Sequence, residues 1–401
     1  MTEPSQNSSL YNKLGASSDK QQVHRAIKSL PPSLYPGAFC RIVPDVFTGS
    51  PDKCLVSHSD SAGTKCIVGY LAFKEWDDAG WLSGLSVDAT VMNLDDMACV
   101  GAVGPFVLSN TIARNFRLVG EEGIKAVIDG YVEFAALMEK FGIVIAIAGG
   151  ETEDLGDVVR TLSVGATMSC ITDRANIIDN SNIKAGDLIA GFSSTGRAIY
   201  ESAPNSGIAS NGFTLARHRL LNKEYLKKYP EIADPGVPQE LAYNGRCDLD
   251  TPVPGLHQSV GEALLSPTRT YAPFVAELLK EVGPANISGI IHNTGGGQTK
   301  NLHFGRSIHY IKDNLFPVPP LFEFIRTHGE IPLEWREMYQ VFNMGHRLEV
   351  FGRAEVVERA ISIAETFGIA GRIVGRCENS LDGSNTVSIS APDGKILTYK
   401  R

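Results

Sequence analysis

Short glycine-bearing stretches follow strand-like apolar runs at four places in this sequence. They are residues 61–65 (SAGTK), 149–152 (GGET), 193–196 with 210–212 (SSTG and SNG), and 294–297 (TGGG). Glycine lets backbone N–H groups face an anion, and a helix that begins there adds a favourable dipole. One such stretch is typical of an ordinary turn. Four of them in one chain indicate phosphate binding, although none has the GxxxxGK[ST] spacing of the common nucleotide loop.

Five acidic residues lie in, beside or between these stretches: Asp60, Asp88, Asp95, Asp96 and Glu151. Carboxylate oxygens suit Mg²⁺, which usually takes one or two protein carboxylates together with phosphate oxygens. Asp88 and Asp95 stand two helical turns apart on one face of a predicted helix, and Asp96 follows directly. The pattern indicates a nucleotide bound with Mg²⁺, and the alternative is a solvated acidic helix face.

Two further residues, His292 and Lys65, could take part in chemistry. His292 lies in the apolar run IIHNTGGG, where a histidine is either a hydrogen-bonded core residue or a proton carrier that contacts substrate. Lys65 follows a glycine turn, where a lysine is either a surface residue or a point charge for a phosphate. These residues alone leave both alternatives open.

Alternating strand and helix patterns surround these residues. Predicted strands cover residues 53–61, 105–112, 143–148, 188–192 and 372–375, and predicted helices cover 21–30, 85–100, 123–141 and 356–367, with two more beginning near 213 and 271. The alternation is typical of an α/β or α+β fold. Polar residues near 180–187 predict a domain boundary there. We therefore expect a loose arm over 1–20, an N-terminal domain over 21–180 and a C-terminal domain over 181–401.

The composition is that of a globular protein. The chain has 401 residues, enough for two domains, and a net charge of −8, which argues against a nucleic-acid surface. It has no run of about 18 apolar residues, and its polar N-terminus is unlike a signal peptide. The seven cysteines include no CxxC pair and are expected to be buried free thiols. We expect a cytoplasmic protein that binds neither nucleic acid nor membrane.

Seven motifs occur in order along the chain. They are residues 60–65 (DSAGTK), Asp88 with Asp95 and Asp96, GGET, 210–217 (SNGFTLAR), 267–271 (PTRTY), 292–297 (HNTGGG) and 338–345 (MYQVFNMG). In this combination the sequence resembles the phosphoribosylformylglycinamidine cyclo-ligase family, also called aminoimidazole ribonucleotide synthetases. The resemblance implies a two-domain α/β fold with a C-terminal α/β sandwich, and a homodimer whose N-terminal domains pair into a barrel. It implies that ATP and Mg²⁺ convert formylglycinamidine ribonucleotide, a small-molecule ribonucleotide, to aminoimidazole ribonucleotide, ADP and phosphate in purine synthesis.

The resemblance also implies a role for each motif. The catalytic residues would be Asp60, Asp96, His292 and, by a loose match to a lysine of a mobile N-terminal arm, Lys28. The metal ligands would be Asp60, Asp96 and Glu151. The nucleotide would be bound by Gly63, Thr64, Lys65, Asp88, Gly149, Gly150, Glu151 and Thr152. The substrate would be bound by Ser210, Asn211, Gly212, Thr294, Gly295, Gly296 and Gly297.

The sequence departs from the family pattern near the expected site. Asp95 stands where asparagine is usual, and residues 197–209 are an insertion. A shorter EDLGDVV follows GGET, QTKN follows TGGG, and His346 and Arg347 follow FNMG in place of small and apolar residues. These departures bear on the identity of the substrate more than on the fold or on ATP use.

Other members of the superfamily are the alternatives. Residues 1–36 contain no cysteine of the selenophosphate-synthesising type, the chain ends in TYKR without the cysteine of the hydrogenase-maturation type, and 401 residues leave no room for a glutaminase domain. PTRTY and MYQVFNMG favour the cyclo-ligase over a thiamine-phosphate kinase. A non-catalytic ATP-binding paralogue is a further alternative, against which the carboxylates of Asp60, Asp96 and Glu151 argue.

Overall fold

The computed structural model describes residues 9–17, 21–329 and 331–400, without the side chains of Gln21, Gln22, His24 and Lys28. The role predicted for Lys28 therefore lies outside the described side chains, and residues 1–8 and 18–20 of the predicted arm lie outside the described residues. Residues 9–17 of the predicted arm contain a short helix. Helix α1 (Leu10–Lys13) begins after Ser9, whose hydroxyl accepts a hydrogen bond from the backbone of Asn12, and Tyr11 donates its backbone N–H to Glu337 Oε1 at 2.9 Å.

The strands of the N-terminal half form one sheet in the order β1-β2-β5-β3-β4. They are β1 (Ile42–Pro44), β2 (Lys53–Ser61), β3 (Phe106–Arg114), β4 (Ile145–Asp154) and β5 (Leu162–Asp173). Strands β3 and β4 run parallel, and the other neighbours are antiparallel. The strand predicted over 53–61 is confirmed. Strand β4, however, continues through GGET, so residues 149–152 belong to a strand and the prediction of a glycine loop there is wrong.

Four helices accompany this sheet: α2 (Gln21–Ala26), α3 (Lys65–Trp76), α4 (Ser83–Ala98) and α5 (Glu121–Glu139). Helix α2 passes into a 3₁₀ turn that ends at Ser29, before Pro31 and Pro32, which cannot continue a helix. Helix α5 buries one apolar stripe against α4, as its spacing predicts. Helix α4 is buried on nearly all sides, because α5, strands β2 and β5, and the C-terminal half of the chain all pack on it.

The opposite face of the first sheet is open. Its side chains are small or polar, namely Ser57, Ser59, Val107, Ser109, Thr111 and Thr167, and all of them are exposed. Strand β4 forms one edge of the sheet, and its residues 146–152 are exposed. At the other edge β1 pairs only with residues 54–56 of β2, so within the described chain residues 57–61 pair on one side alone. Both edges can accept another strand.

The C-terminal half forms a seven-stranded sheet in the order β12-β11-β8-β10-β6-β9-β7. The strands are β6 (Leu188–Ser193), β7 (Gly289–His292), β8 (Ile308–Lys312), β9 (His346–Gly352), β10 (Gly371–Asn379), β11 (Thr386–Ser390) and β12 (Ile396–Lys400). The helices are α6 (Phe213–Leu220), α7 (Lys223–Lys228), α8 (Val260–Leu265), α9 (Ala272–Val282), α10 (Pro320–Thr327), α11 (Trp335–Val341) and α12 (Ala354–Thr366). Two sheets, each with helices packed on at least one face, confirm the predicted mixed α/β class.

The described residues also test two expectations from composition. None of their helices is long and apolar enough to cross a bilayer. All seven cysteines are buried free thiols, as predicted. Burial raises the pKa of the Cys66 thiol to about 12, so this thiol stays protonated at neutral pH.

Candidate active site

Three carboxylates of helix α4 point into the protein. Asp88 and Asp95 have no exposed surface, and Asp96 is 8% exposed. A solvated acidic helix face is therefore the wrong interpretation of this helix. Residues 266–271, which include the PTRTY motif, run along α4 and supply hydrogen-bond donors to two of its carboxylates. The spacing of Asp88 and Asp95 thus serves to dock the C-terminal half of the chain on α4.

Asp88 and Lys65 form a buried ion pair. Lys65 Nζ donates to Asp88 Oδ1 at 2.9 Å and to the carbonyls of Ala209 at 3.2 Å and Ser266 at 2.7 Å. The same Asp88 oxygen accepts from the backbone N–H of Thr268 at 2.8 Å and from its hydroxyl at 2.5 Å. Burial lowers the pKa of Lys65, and Asp88 opposes this effect. The predicted phosphate contact of Lys65 and the predicted nucleotide-binding role of Asp88 do not fit this geometry, because both groups are enclosed and paired.

Asp95 is held by donors from the C-terminal half. Its Oδ1 accepts from the Thr270 hydroxyl at 2.6 Å and from the Tyr271 N–H at 3.0 Å, and its Oδ2 accepts from Arg347 Nη2 at 2.9 Å. Burial raises the pKa of Asp95, while the charge of Arg347 opposes that rise. Since Asp95 and Arg347 are both fully buried, the extra carboxylate of this sequence adds no free charge to the site.

Asp96 bridges two histidines. Its Oδ1 accepts from His292 Nδ1 at 2.6 Å, and its Oδ2 lies 3.4 Å from His58 Nε2. Burial opposes ionisation of Asp96, but the hydrogen bond and charge of His292 outweigh it, so the pKa of Asp96 lies below its usual value. Burial and the charge of Arg347 lower the pKa of His292. At neutral pH the pair is therefore a carboxylate and a neutral imidazole that donates from Nδ1.

His58 is a site residue that the sequence analysis missed. Its Nδ1 lies 2.9 Å from Asn93 Oδ1, and the Asn93 amide donates its own N–H groups to the carbonyls of Ala89 and Ala166. The Asn93 oxygen must then accept from His58, which leaves His58 Nε2 facing Asp96. The signal that could have found it is the alternation of β2, which places His58 on the same face of the strand as Asp60, toward α4.

The three carboxylates predicted as metal ligands do not come together in one chain. Asp60 lies on β2 and Glu151 on β4, with β5 and β3 between them. Three strand spacings separate the two by about 14 Å. Both oxygens of Asp96 face histidines, and among the residues that the structure describes no three His, Cys, Asp or Glu side chains are arranged to hold a metal ion. A single chain therefore does not form the predicted set Asp60, Asp96 and Glu151.

The start of helix α3 remains accessible. Gly63 has a left-handed backbone conformation with φ of 58°, and the Thr64 hydroxyl lies 3.2 Å from that of Thr214. Thr64 borders a cleft of about 510 Å³ that Arg160 and Arg217 also line. The helix start and the two guanidinium groups favour an anion, and the cleft is also lined by the acidic residues Asp157, Glu231 and Asp234. Of the predicted nucleotide-binding residues, Thr64 lines this cleft and Gly63 directly precedes it in the chain, whereas Gly149, Gly150, Glu151 and Thr152 are exposed on β4.

The two stretches that are predicted to bind substrate, residues 210–212 and 294–297, meet at Phe342 of the MYQVFNMG motif. A side chain at Gly212 would collide with the Phe342 ring, and one at Gly297 would collide with the Phe342 carbonyl. The Ser210 hydroxyl is bonded to Thr268 Oγ1 at 2.7 Å, and within the described residues the buried Asn211 Oδ1 has no partner. The structure therefore brings residues 210–212 and 294–297 together, and Gly212 and Gly297 are required for this close packing.

The remaining departures from the family pattern form buried polar networks. Lys312 Nζ and His346 Nε2 both contact Glu349 Oε1, at 2.6 and 2.8 Å. Gln298 and Asn301, from QTKN, complete this network by bonding Lys312 at 3.0 and 2.8 Å. In the insertion, Glu201 Oε1 accepts from Arg269 Nε of the PTRTY motif at 3.0 Å. The altered residues thus contact one another or neighbouring motifs.

Comparison with known proteins first identifies the fold to which the chain belongs. Residues 41–172 match the family described as AIR synthase related protein, N-terminal domain. Phosphoribosylformylglycinamidine synthase II from Thermotoga maritima has a TM-score of 0.53 at 12% identity, over 98% of this chain and 50% of its own. AaThiL, solved with AMPPCP and TMP, has a TM-score of 0.53 at 14% identity, over 96% of each chain. The fold is that of the AIR synthase-related proteins.

Curated relatives then give the family. The phosphoribosylformylglycinamidine cyclo-ligase of Methanocaldococcus jannaschii is 31% identical over 331 residues, which are 82% of this chain and 80% of the relative. The cyclo-ligases of Methanococcus vannielii and Bifidobacterium animalis subsp. lactis are each 28% identical, over 335 and 339 residues. The chain belongs to the phosphoribosylformylglycinamidine cyclo-ligase family, and it is an enzyme of the ligase class.

Proposed function

We propose that this enzyme closes the imidazole ring of formylglycinamidine ribonucleotide, with consumption of ATP, to give aminoimidazole ribonucleotide, ADP and phosphate in purine biosynthesis. The observation that carries the proposal is the buried pair of His292 and Asp96, which lies at the start of the HNTGGG motif between the two halves of the chain. The relatives named for this reaction align with 82% of the chain.

Ring closure needs a leaving group and a base. The formyl oxygen leaves poorly until the γ-phosphoryl group of ATP is transferred to it; the amidine nitrogen then attacks the formyl carbon, and the C–O bond breaks as phosphate departs. The attacking nitrogen must also lose a proton. Asp96 holds His292 Nδ1, and among the described residues His292 Nε2 has no hydrogen-bond partner. We assign His292 Nε2 as the base and Asp96 as the group that orients it.

The two glycine-bearing stretches around Phe342 are the proposed walls of the ribonucleotide pocket. Residues 294–297 follow His292 directly, so a substrate that they hold lies close to the proposed base. Asn211 offers an oxygen that has no partner in the described chain, and it can accept a hydrogen bond from substrate. The packing of residues 210–212 and 294–297 against one motif supports a single pocket built from both.

ATP, bound as its Mg²⁺ complex, is the proposed cosubstrate. The cleft at the start of α3 offers the backbone N–H of Thr64 and the guanidinium groups of Arg160 and Arg217, which suit phosphates, and the carboxylates of Asp157, Glu231 and Asp234 in the same cleft suit the Mg²⁺ that accompanies them. Bound with the nucleotide, Mg²⁺ would neutralise charge on the phosphoryl group during its transfer. Lys65 has no part in this proposal, because its ammonium is buried and paired within the protein.

A homodimer would complete the site. Strand β4 is an exposed edge strand, and residues 57–61 of β2 lack a second neighbouring strand in the described chain. We propose that β4 of each subunit pairs with this part of β2 in the other, which closes the two sheets into a barrel without open edges. Glu151 of the partner subunit would then lie near Asp60, and these two carboxylates could hold the Mg²⁺ of ATP without Asp96.

The test is a joint measurement of ADP and aminoimidazole ribonucleotide from purified enzyme with Mg-ATP, with and without formylglycinamidine ribonucleotide. We expect equal amounts of both products and neither product without the ribonucleotide. Asp96→Asn and His292→Gln should each lower kcat about 100-fold or more, with little change in ATP affinity. The matched control is Glu133→Gln, on the exposed side of α5, which should keep full activity.

Thiamine phosphate is the control acceptor. ADP formation with thiamine phosphate, and none with the ribonucleotide, would contradict the proposal and favour a kinase of the same superfamily. ATP binding without turnover of either acceptor would also contradict it and would favour a paralogue that has lost the activity.

A further inference from the structure

A buried ammonium group binds the end of one proposed wall of the ribonucleotide pocket. Strand β8 alternates buried and half-buried residues, and Lys312 is the last residue on its buried face, with no exposed surface. Its Nζ donates to both oxygens of Gln298, the residue that follows the TGGG stretch, namely to the backbone carbonyl at 2.9 Å and to the side-chain Oε1 at 3.0 Å. Lys312 therefore fixes both the main chain and the side chain of Gln298.

The Gln298 side chain connects this lysine to the turn that ends the MYQVFNMG motif. Because an ammonium group only donates, the amide oxygen of Gln298 must face Lys312, and the amide nitrogen must face the opposite way. That nitrogen donates to the backbone carbonyl of Asn343 at 2.5 Å and to that of His346 at 2.9 Å. Both N–H groups of the amide are thus used to join residues 294–297 to the turn.

Lys312 is itself held by two other buried residues. Its Nζ donates to Glu349 Oε1 at 2.6 Å and to Asn301 Oδ1 at 2.8 Å, and Asn301 Nδ2 donates to Glu349 Oε2 at 2.8 Å. All three side chains are fully buried. With four oxygen partners for its three N–H groups, Lys312 has no donor left to offer a ligand. Any effect of Lys312 on the pocket must therefore pass through Gln298.

Two departures from the family pattern meet in this network. Gln298 is the first residue of QTKN, and His346 follows FNMG. The Gln298 amide binds the His346 carbonyl, and the His346 ring contacts Glu349 Oε1 at 2.8 Å. A buried polar side chain is costly unless its hydrogen-bonding groups find partners. These two residue types therefore depend on each other and on Lys312.

We propose that Lys312 and Gln298 are positioning residues that hold residues 294–297 at a fixed distance from the turn over 343–346, and thereby set the affinity for the ribonucleotide. Without Lys312, the Gln298 amide loses the partner that orients it, and the carbonyls of the turn lose their donor. The pocket wall then adopts several positions, and ordering it on binding weakens the affinity. None of the described residues that line the ATP cleft belongs to this network, so ATP should bind as before. The positioning follows from the contacts, whereas its effect on the ribonucleotide rests on the proposed function.

The first test is hydrogen exchange of the full-length enzyme, followed by mass spectrometry without any substrate. The main variant is Lys312→Met/Glu349→Gln, which leaves no unpaired charge in the interior. We expect peptides that cover residues 294–299 and 343–346 to exchange about tenfold faster or more, while peptides of β2 exchange as in the unaltered enzyme. The matched control is His309→Gln, on the half-buried face of β8, which should change neither. Unchanged exchange over the two stretches, or equally faster exchange of all peptides, would overturn the proposal.

The second variant, Gln298→Met, tests the same point in case the double variant does not fold. It removes the amide that binds the two carbonyls of the turn and leaves the ion pair of Lys312 and Glu349 intact. We expect the same local increase in exchange, and its absence would overturn the proposal. Thermal unfolding by circular dichroism checks that each variant is folded at the temperature of the exchange measurement.

Kinetics separate failure of this proposal from failure of the proposed function. In both variants KM for formylglycinamidine ribonucleotide should rise about tenfold or more, while KM for ATP should stay within about twofold. A purely structural role would lower the unfolding temperature and leave both KM values of the folded enzyme unchanged; that result, or an equal rise of both KM values, would overturn the proposal. If exchange increases as expected but the unaltered enzyme does not turn over the ribonucleotide, the positioning role stands and the proposed reaction fails.

Discussion

Replacing Lys65 by methionine should destabilise the protein without weakening ATP binding in the folded molecules. Lys65 Nζ is fully buried and has three oxygen partners, from Asp88, Ala209 and Ser266. Methionine fills most of the lysine volume, so the loss comes from the charge that remains on Asp88 rather than from a cavity. Removing one partner of a buried ion pair costs about 3–5 kcal/mol. We therefore expect a loss of that size in the free energy of unfolding.

A second change should restore much of this loss. In the double variant Lys65→Met/Asp88→Asn, the amide oxygen can still accept the two hydrogen bonds from Thr268, and no unpaired charge remains buried. The two changes should therefore show a favourable coupling of about 2–3 kcal/mol. The matched control is Lys125→Met. Lys125 forms an exposed ion pair with Asp129, and removing it should lower the free energy of unfolding by less than about 1 kcal/mol.

The assay is urea unfolding at pH 7 followed by circular dichroism, together with calorimetric titration of Mg-ATP at a temperature at which every variant is folded. An unchanged urea midpoint in Lys65→Met, combined with ATP binding weakened about tenfold or more, would refute the reasoning. That outcome would show that Lys65 contacts a phosphate, as its position after a glycine turn first indicated.

Three further predictions concern other parts of the chain. Burial and the charge of Arg217 lower the pKa of His218 to about 3. The stability that neutral His218 contributes above pH 6.5 is therefore lost as the pH falls toward its pKa, and about 2 kcal/mol is lost between pH 6.5 and 5. His218→Asn should show a smaller drop in urea midpoint than the unaltered enzyme between these two pH values. Gly297→Ala should lower the free energy of unfolding by more than about 3 kcal/mol, because the new Cβ would collide with backbone carbonyls. Gly63→Ala has open space around it and should lower the free energy of unfolding by about 1 kcal/mol. Equal urea midpoints for the two variants would contradict this difference. Asp60→Asn and Glu151→Gln should each be inactive. Random mixing of the two variants should restore about a quarter of the activity, since half of the dimers are mixed and each mixed dimer has one intact site out of two. No restoration would contradict a site shared between subunits.

Local elements could be predicted from the sequence where periodicity and burial agree. Strand β2 was predictable because its residues are strand-like and a glycine turn ends it, and helix α5 because one apolar stripe faces the core. The environment of α4 was not predictable. This helix is covered on nearly all sides, so its carboxylates have no solvent face, and each of Asp88 and Asp95 has a partner more than 170 positions away.

The same limit explains two errors at the site. Lys65 was predicted to contact a phosphate because a lysine at the start of a helix is usually accessible, whereas residues 209 and 266–268 of the other half enclose it. Residues 149–152 were predicted as a loop because two glycines usually end a strand. In the folded chain β3 pairs with them through Glu151 and beyond, and that contact is non-local.

The charged departures from the family pattern support the proposed reaction, because the structure pairs them with one another or with a residue of the PTRTY motif. Asp95 adds a negative charge and Arg347 adds a positive one, and the two meet in a buried ion pair. Glu201 of the insertion pairs with Arg269. A site adapted to a differently charged substrate would present an unpaired charge to it. Here the altered charges compensate within the protein, and Asp96 and His292 are left facing each other as the pair proposed to take the proton in ring closure.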